Sequence, residues 1–265
     1  MTILLIGAGR MGSALLKGWL NRGVKSIAVV EPKPSPELRK LARAKKVALF
    51  AAPSQVPRQP SVCVVAIKPQ VLKGEAATLA GFAQAGALMI SIAAGTSVAA
   101  MAQAWGKKSR IIRAMPNTPG AIGAGITGLF AAKGVSATDR KRAVSLLSAL
   151  GETVWVAKEG LIDSVTAVSG SGPAYLFLMA EALTEAGIAE GLPRDQAEKF
   201  ARATVAGAGA LLAADKSPAS ALREAVTSPG GTTAAALYVL MAEDGLVPLM
   251  KRAVAAARKR AEELR

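Results

Sequence analysis

Short apolar runs alternate with stretches of helical periodicity through the first half of the chain. The runs lie near Ile3–Ile6, Ile27–Val30, Val62–Ile67, Leu88–Ile92 and Ile111–Met115; they are rich in β-branched residues and end at turn residues. Helical spacing of apolar positions fills several of the gaps, at Met11–Trp19, Pro36–Ala44, Val71–Leu79 and Val98–Trp105. Strand–helix–strand repetition of this kind predicts a doubly wound α/β domain with a mostly parallel sheet. A helix over Thr138–Leu150 and a short strand at Thr153–Val156 complete it, giving a domain of residues 1–157. Beyond Val156 the pattern turns helical throughout, with long segments at Pro173–Ala186, Pro193–Ala214, Thr233–Ala242 and Pro248–Leu264. Pro193 and Pro218 sit where a helix's first turn tolerates proline. Residues 158–265 therefore read as a second, all-α domain. Its alanine-rich helices are too apolar for a small solitary bundle, which predicts burial against a second subunit.

Composition narrows the chemistry. Hydrophobic residues make up 51% of the 265 and charged residues 19%, so the chain can bury a core and is not disordered. Aromatics are only 4%, which argues against an aromatic carbohydrate cleft or a base-stacking platform. Histidine is absent, and with it Ser-His-Asp triads, Cys-His pairs and histidine metal sites. The lone Cys63 permits no intrachain disulfide and no cysteine-cluster metal site. Met1 to Ile6 run straight into an apolar strand with no basic segment or cleavage site before it, so no signal peptide is read and a cytoplasmic setting is expected. Ala76–Gly106 carries no charge, but Gly81, Gly86 and Gly95-Thr96-Ser97 break it into helix end, strand and capped helix, not a membrane span.

The net charge of +15 is unevenly placed. Residues 1–150 hold 21 Lys and Arg against 4 Asp and Glu, whereas residues 151–265 hold 12 against 14. The cations are scattered and no helix-turn-helix, zinc-finger or RNA-binding signature accompanies them, so a nucleic-acid partner is not expected. A solvated surface that attracts a polyanionic cofactor is the reading they support.

Directly after the first strand comes Gly7-Ala8-Gly9-Arg10-Met11-Gly12, a G-x-G-x-x-G element opening an amphipathic helix. That context predicts a dinucleotide: glycines for a tight turn, close backbone approach and tight packing, with the helix's positive end facing the pyrophosphate. Glu31 closes the second strand, where an acid hydrogen-bonds the adenosine ribose and disfavours a 2′-phosphate. Lys33 and Arg39 stand nearby to accept one, so the cofactor expected is NADH first, with NADPH tolerated. Two further loops fall at strand carboxyl ends, Ala66-Ile67-Lys68-Pro69-Gln70 and Met115-Pro116-Asn117-Thr118-Pro119. Both are candidate cofactor walls, Lys68 and Asn117 being equally readable as a solvated lysine and a turn former.

In the helical half, Ser169-Gly170-Ser171-Gly172-Pro173-Ala174-Tyr175 and Thr227-Ser228-Pro229-Gly230-Gly231-Thr232-Thr233 each precede a long helix. Each offers hydroxyls and backbone amides at a helix start, suited to a carboxylate, or to simple capping. Together with Gly7–Gly12, Ala66–Pro69 and Met115–Pro119, and above all Leu222–Thr233, these motifs resemble the pyrroline-5-carboxylate reductase family along essentially the whole chain and in the same order. The resemblance implies a Rossmann-like domain, a helical domain that interlocks with a partner as a dimer or ring of dimers, and NAD(P)H-dependent reduction of 1-pyrroline-5-carboxylate to L-proline.

Carried over by resemblance, Thr233 would hydrogen-bond the substrate ring nitrogen as the catalytic residue. Ser228, Gly230, Gly231 and Thr232 would hold the substrate carboxylate, and Glu159 would be an acidic residue of the substrate site. Ile92, Ala93 and Ala94 would line the nicotinamide, beside Ala66, Ile67, Lys68, Pro69 and Asn117. The sequence departs from the family at Pro53, where an asparagine is common, at Glu31, where NADPH-preferring members carry Asn-Arg or Ser, and at Met241, where an acid is usual. Two other readings stay open. A β-hydroxyacid dehydrogenase-like reductase would share the architecture, but it needs a lysine base early in the helical domain and the first lysine after Ser169 is Lys199. A non-catalytic dinucleotide sensor or dimer scaffold would not need both glycine-rich loops.

Overall fold

The computed structural model describes residues 2–57 and 59–264, so Met1, Arg58 and Arg265, including the two ends of the expected domains, lie outside it. The chain divides into two compact units, Met1–Gly170 with Ala257–Arg265, and Ser171–Ala256.

In the first unit, eight strands form one sheet in the order β3-β2-β1-β4-β5-β6-β7-β8. They are β1 (Ile3–Ile6), β2 (Ile27–Val30), β3 (Ala48–Phe50), β4 (Val62–Val65), β5 (Leu88–Ser91), β6 (Arg110–Met115), β7 (Gly125–Ala131) and β8 (Gly151–Trp155). The first six run parallel; β7 pairs antiparallel with β6, and β8 parallel with β7. The four short central strands are buried at every position because helices cover both faces. Alternate residues feed two cores: Ile3, Leu5, Val62 and Val64 on one face, Leu4, Ile6, Cys63 and Val65 on the other.

The connecting helices are α1 (Arg10–Asn21), α2 (Pro36–Arg43), α3 (Pro69–Glu75), α4 (Ala80–Gln84), α5 (Val98–Trp105), α6 (Ala137–Leu147) and α7 (Leu161–Val165). Local chemistry sets their starts. Ser35, Ser97 and Ser136 cap α2, α5 and α6 by accepting from amides three residues on. Two buried tryptophans tie helices across the layer, Trp19 Nε1 donating to the Leu146 carbonyl at 2.8 Å and Trp105 Nε1 to that of Ala76 at 3.0 Å.

The structure corrects several expectations. The helix expected over Val71–Leu79 begins earlier, at Pro69, and yields to a 3-10 turn at Ala76–Leu79 before α4. Strands β3 and β7 were not expected; β3 is three residues long, and two glycines break the apolar signal of β7. The Thr138–Leu150 helix ends at Leu147 and tightens into a 3-10 turn, and Pro193 and Pro218 are cap residues, not first-turn ones.

The second unit contains α8 (Gly172–Ala189), α9 (Arg194–Ala214), α10 (Ala219–Ala225), α11 (Thr232–Leu240) and most of α12 (Leu246–Glu263), and no strand among its described residues. Large apolar side chains stand exposed along it, among them Phe177 at 63%, Phe200 at 60% and Tyr238 at 85%.

Candidate cofactor and substrate sites

The winding direction of the sheet reverses between β1 and β4, and ligands of open α/β sheets gather at the carboxyl edge of such a switch point. Gly7 to Gly12 occupy that edge. Gly7 has a φ of 89°, and a Cβ there would lie 2.6 Å from Ile67 Cγ2 and 2.9 Å from the Ala66 carbonyl oxygen. A Cβ on Gly12 would collide with the Gly7 carbonyl oxygen. Gly9, in contrast, has open space where a side chain would stand. It opens α1 without a side-chain cap, and no acid sits in that helix's first turn, where Arg10 and Met11 begin. Two glycines close the turn, and the third leaves uncapped amides facing outward: a cradle that fits a pyrophosphate.

Ala66 and Ile67 wall this cradle, with Lys68 exposed as the cap residue of α3 and Pro69 as its first residue. Glu31 reaches back from the end of β2. Its Oε2 accepts from the Ala8 amide at 2.8 Å and its Oε1 from the Lys33 amide at 3.1 Å. The carboxylate is therefore fixed against the glycine turn, not free at a strand end.

Ile92 to Ala94 follow β5. The Ile92 amide donates to the Val65 carbonyl at 3.0 Å and the Ala93 amide to Ser91 Oγ at 3.3 Å. Gly95 follows with a φ of 68°, and a Cβ there would lie 2.9 Å from the carbonyl oxygen of Leu264, at the far end of the chain. Asn117 turns β6 into β7: its Oδ1 accepts from the Ile126 amide at 2.9 Å. Gly7–Gly12, Glu31, Ala66–Pro69, Ile92–Ala94 and Asn117 all emerge from carboxyl ends of parallel strands, and so share one edge of the sheet.

Glu159 belongs to the first unit. Its Oε1 accepts from the Val98 amide, the first of α5, at 2.7 Å, and lies 3.2 Å from Nη1 of Arg113. Arg113 stands on β6, 1% exposed, with Nη2 3.3 Å from Asp163 Oδ1, itself on α7 and fully buried. Sequence reading missed this cluster. Its members are 46 and 50 residues apart, and no spacing rule joins them; the only trace was an arginine inside an apolar strand. Cys63 is completely buried, and that burial pushes its thiol well above the ordinary range, which disfavours a thiolate.

In the second unit, Ser228 to Thr233 form their own cluster. The Gly231 amide donates to the Ser228 carbonyl at 3.0 Å, Gly230 takes a φ of 69°, and Gly231 is the cap residue of α11 with no side-chain cap bond. The amides of Thr232 and Thr233 thus open α11 uncapped, with the Thr233 side chain in the first turn. The other glycine-rich segment precedes α8, with Ser171 as its cap residue. Residues Thr166–Gly170 are a π-helical turn, in which Thr166 and Ser169 hydroxyls donate to the carbonyls of Ile162 at 2.8 Å and Val165 at 3.0 Å.

Among known proteins, residues 159–264 match the family described as pyrroline-5-carboxylate reductase dimerisation, and residues 2–95 that described as NADP oxidoreductase, coenzyme F420-dependent. A pyrroline-5-carboxylate reductase of Pseudomonas aeruginosa is 38% identical over 264 residues, covering 99% of this chain and 96% of the relative. One from Pisum sativum is 34% identical over 264 residues, with the same coverage. Of solved structures, a pyrroline-5-carboxylate reductase from Coxiella burnetii superposes with a TM-score of 0.91 at 37% identity, covering 99% of this chain and 98% of its own. A Plasmodium falciparum pyrroline carboxylate reductase with NADP bound gives 0.82 at 26% identity, covering 100% and 98%.

Proposed function

We infer the function from one premise: the chain belongs to the pyrroline-5-carboxylate reductase family. It reduces 1-pyrroline-5-carboxylate to L-proline with a nicotinamide dinucleotide, the last step of proline biosynthesis. Residues 1–157 are assigned to the dinucleotide and residues 158–265 to the substrate and to self-association. Within the structure, the observation that carries the substrate assignment is the uncapped start of α11, with Thr233 in its first turn.

The substrate is a cyclic imine with a carboxylate beside its ring nitrogen. Unpaired amides at a helix start favour an anion, so the backbone from Ser228 to Thr232 suits that carboxylate. Thr233 then orients the ring through its hydroxyl, which relays a proton from water to the imine nitrogen and accepts a hydrogen bond from the resulting N–H. Protonation alone makes the imine carbon electrophilic, so a chain without histidine lacks nothing essential. Glu159, its side chain a quarter exposed, supplies the acidic function proposed for the substrate site. When bound, the dinucleotide supplies the hydride. The glycine cradle and Arg10 hold its pyrophosphate, and the backbone of Ile92–Ala94 with Ala66–Pro69 and Asn117 walls it.

NADH is the preferred cofactor, with NADPH tolerated. Glu31, fixed by two backbone amides, presents a carboxylate that repels a 2′-phosphate, and the nearby Lys33 and Arg39 soften that repulsion. Glu31→Gln should raise the NADPH-to-NADH rate ratio by about tenfold, because it removes a like-charge contact. The chain self-associates through its helical domain. A dimer, or a ring of dimers, is the assembly proposed, and a cytoplasmic setting goes with it.

The test follows nicotinamide absorbance with fresh 1-pyrroline-5-carboxylate and each dinucleotide side by side. Oxidation with proline as product supports the reaction. Folded, cofactor-bound protein that oxidises neither would sink it, and activity on a 3-hydroxy acid instead would move the chain to dehydrogenase chemistry. Thr233→Ala should lower kcat by about a hundredfold while leaving NADH affinity within twofold. An unchanged kcat would remove Thr233 from the mechanism.

A further inference from the structure

The turn from Ile92 to Ser97 is the piece of backbone on which nicotinamide placement depends, and its far end is held from outside. Val98, which begins α5, gives its amide to Glu159 at 2.7 Å. A carboxylate at that position satisfies an orphan donor that the Ser97 cap leaves open and favours the helix's positive end, so it ties down the start of α5. What fixes Glu159 is Arg113, whose Nη1 lies 3.2 Å from the same oxygen. On the sheet, Arg113 is paired in register with Ser91, the last residue of β5 before Ile92. Its other terminal nitrogen is held by Asp163 at 3.3 Å, while its Nε has no hydrogen-bond partner among the described residues. One guanidinium therefore ties β6, α7, Glu159 and, through Glu159, the end of the turn.

A buried ion cluster of this kind is a poor source of stability, because desolvation offsets most of its attraction and apolar residues of equal volume do as well. What it supplies is a fixed place for a charged atom. We propose that Arg113 is a positioning residue for the reduction: by holding Glu159 on the Val98 amide, it sets the Ile92–Ser97 backbone against which the nicotinamide ring is placed. The inference rests on the functional reading above. It also gives Glu159 a role separate from contact with the imine.

Arg113→Lys and Glu159→Gln, singly and together, test it. The lysine keeps a cation but cannot span both carboxylates, and the glutamine keeps an acceptor for Val98 while losing the charge. Each single change should lower kcat by about tenfold, since small misplacement of reacting groups is costly, and leave the affinity for ADP-ribose, which lacks nicotinamide, within about twofold. Hydrogen exchange in the peptide covering residues 92–100 should speed up in both. The double variant should be no slower than the slower single one, as expected for residues acting as a unit. The proposal is overturned by Arg113→Lys with kcat within twofold of the parent. It is equally overturned if the two effects multiply, or if ADP-ribose affinity and melting temperature fall in step with kcat, which marks a merely structural role. A rise in KM for the imine in Glu159→Gln alone, with Arg113→Lys normal, would place Glu159 on the substrate and Arg113 outside the mechanism. If the parent protein reduces no imine, the functional reading fails separately. Exchange over residues 92–100, with NADH affinity set against ADP-ribose affinity, then still decides whether Arg113 governs the turn.

Discussion

At Gly12 there is no room for one carbon atom. A Cβ would strike the Gly7 carbonyl, which is backbone and anchored by the Gly7 amide's bond to the Val30 carbonyl at 2.8 Å, so nothing flexible can give way. Gly12→Ala should therefore spread the turn, weaken NADH binding by at least about a hundredfold and cost on the order of 1–3 kcal/mol of stability. Fluorescence titration and thermal melting read the two effects; tight binding with an unchanged melt would refute it. Gly9→Ala meets nothing in the protein itself, so it should melt like the parent and lose affinity only through what approaches from outside. These glycines were legible in the sequence because their constraint is local: a fixed spacing between a strand and a helix. Glu31 was legible as a position but not as a contact, for its bond to Ala8 spans 23 residues. Arg113 was legible only as an arginine inside an apolar strand, since a buried cation is explained only by partners that the fold delivers from α7 and the segment before it.

Elements show the same division between local and delivered constraints. Strands β1, β2, β4, β5 and β6 were readable as apolar runs, whereas β7 was not, because Gly125 and Gly128 interrupt it. A Cβ on Gly125 would lie 2.6 Å from the Gly120 nitrogen, and one on Gly128 2.6 Å from Val165 Cγ1, so the glycines serve approaches invisible in the strand itself. Helix α6 starts at a capping box in which Ser136 and Asp139 bond reciprocally, and Asp139 also holds Arg110 at 2.7 Å, joining α6 to β6. Burial alone would raise the Asp139 pKa, but the hydroxyl and amide of Ser136 and the Arg110 guanidinium outweigh it, so the pKa falls below the usual carboxylate value. Its folded-state pKa is thus below its unfolded one. The stability it contributes is present above the ordinary carboxylate range and is lost as pH falls through the folded value. Asp139→Asn should lower stability by about 1–2 kcal/mol at neutral pH, from the cap and a partly exposed ion pair, and by less in acid. Melts across the acid range check this; a deficit that stays constant with pH would show the charge to be irrelevant.

For the whole molecule, the exposed large apolar residues lie mostly in the second unit, although Ile122 and Val168 of the first are exposed too. Phe177 of α8 and Phe200 of α9 stand exposed within the segment that matches the dimerisation family, which makes them the side chains to test for burial against another copy. Replacing both with glutamate should shift sedimentation toward the monomer and lower the helix content of the isolated chain, because apolar helices left in water lose their main support. An unchanged sedimentation coefficient would exclude both side chains from the interface. That the helical half needs a partner was legible in its composition. Which faces meet was not, for nearly every turn of α8 and α11 is apolar and no stripe stands out.

The last described residues rejoin the first unit, where Leu264 rests on Gly95. In a chain made from its N-terminus, the sheet and its glycine cradle are complete long before Leu264 exists. The turn proposed for the nicotinamide therefore gains its Leu264 support only after the helical unit has been made.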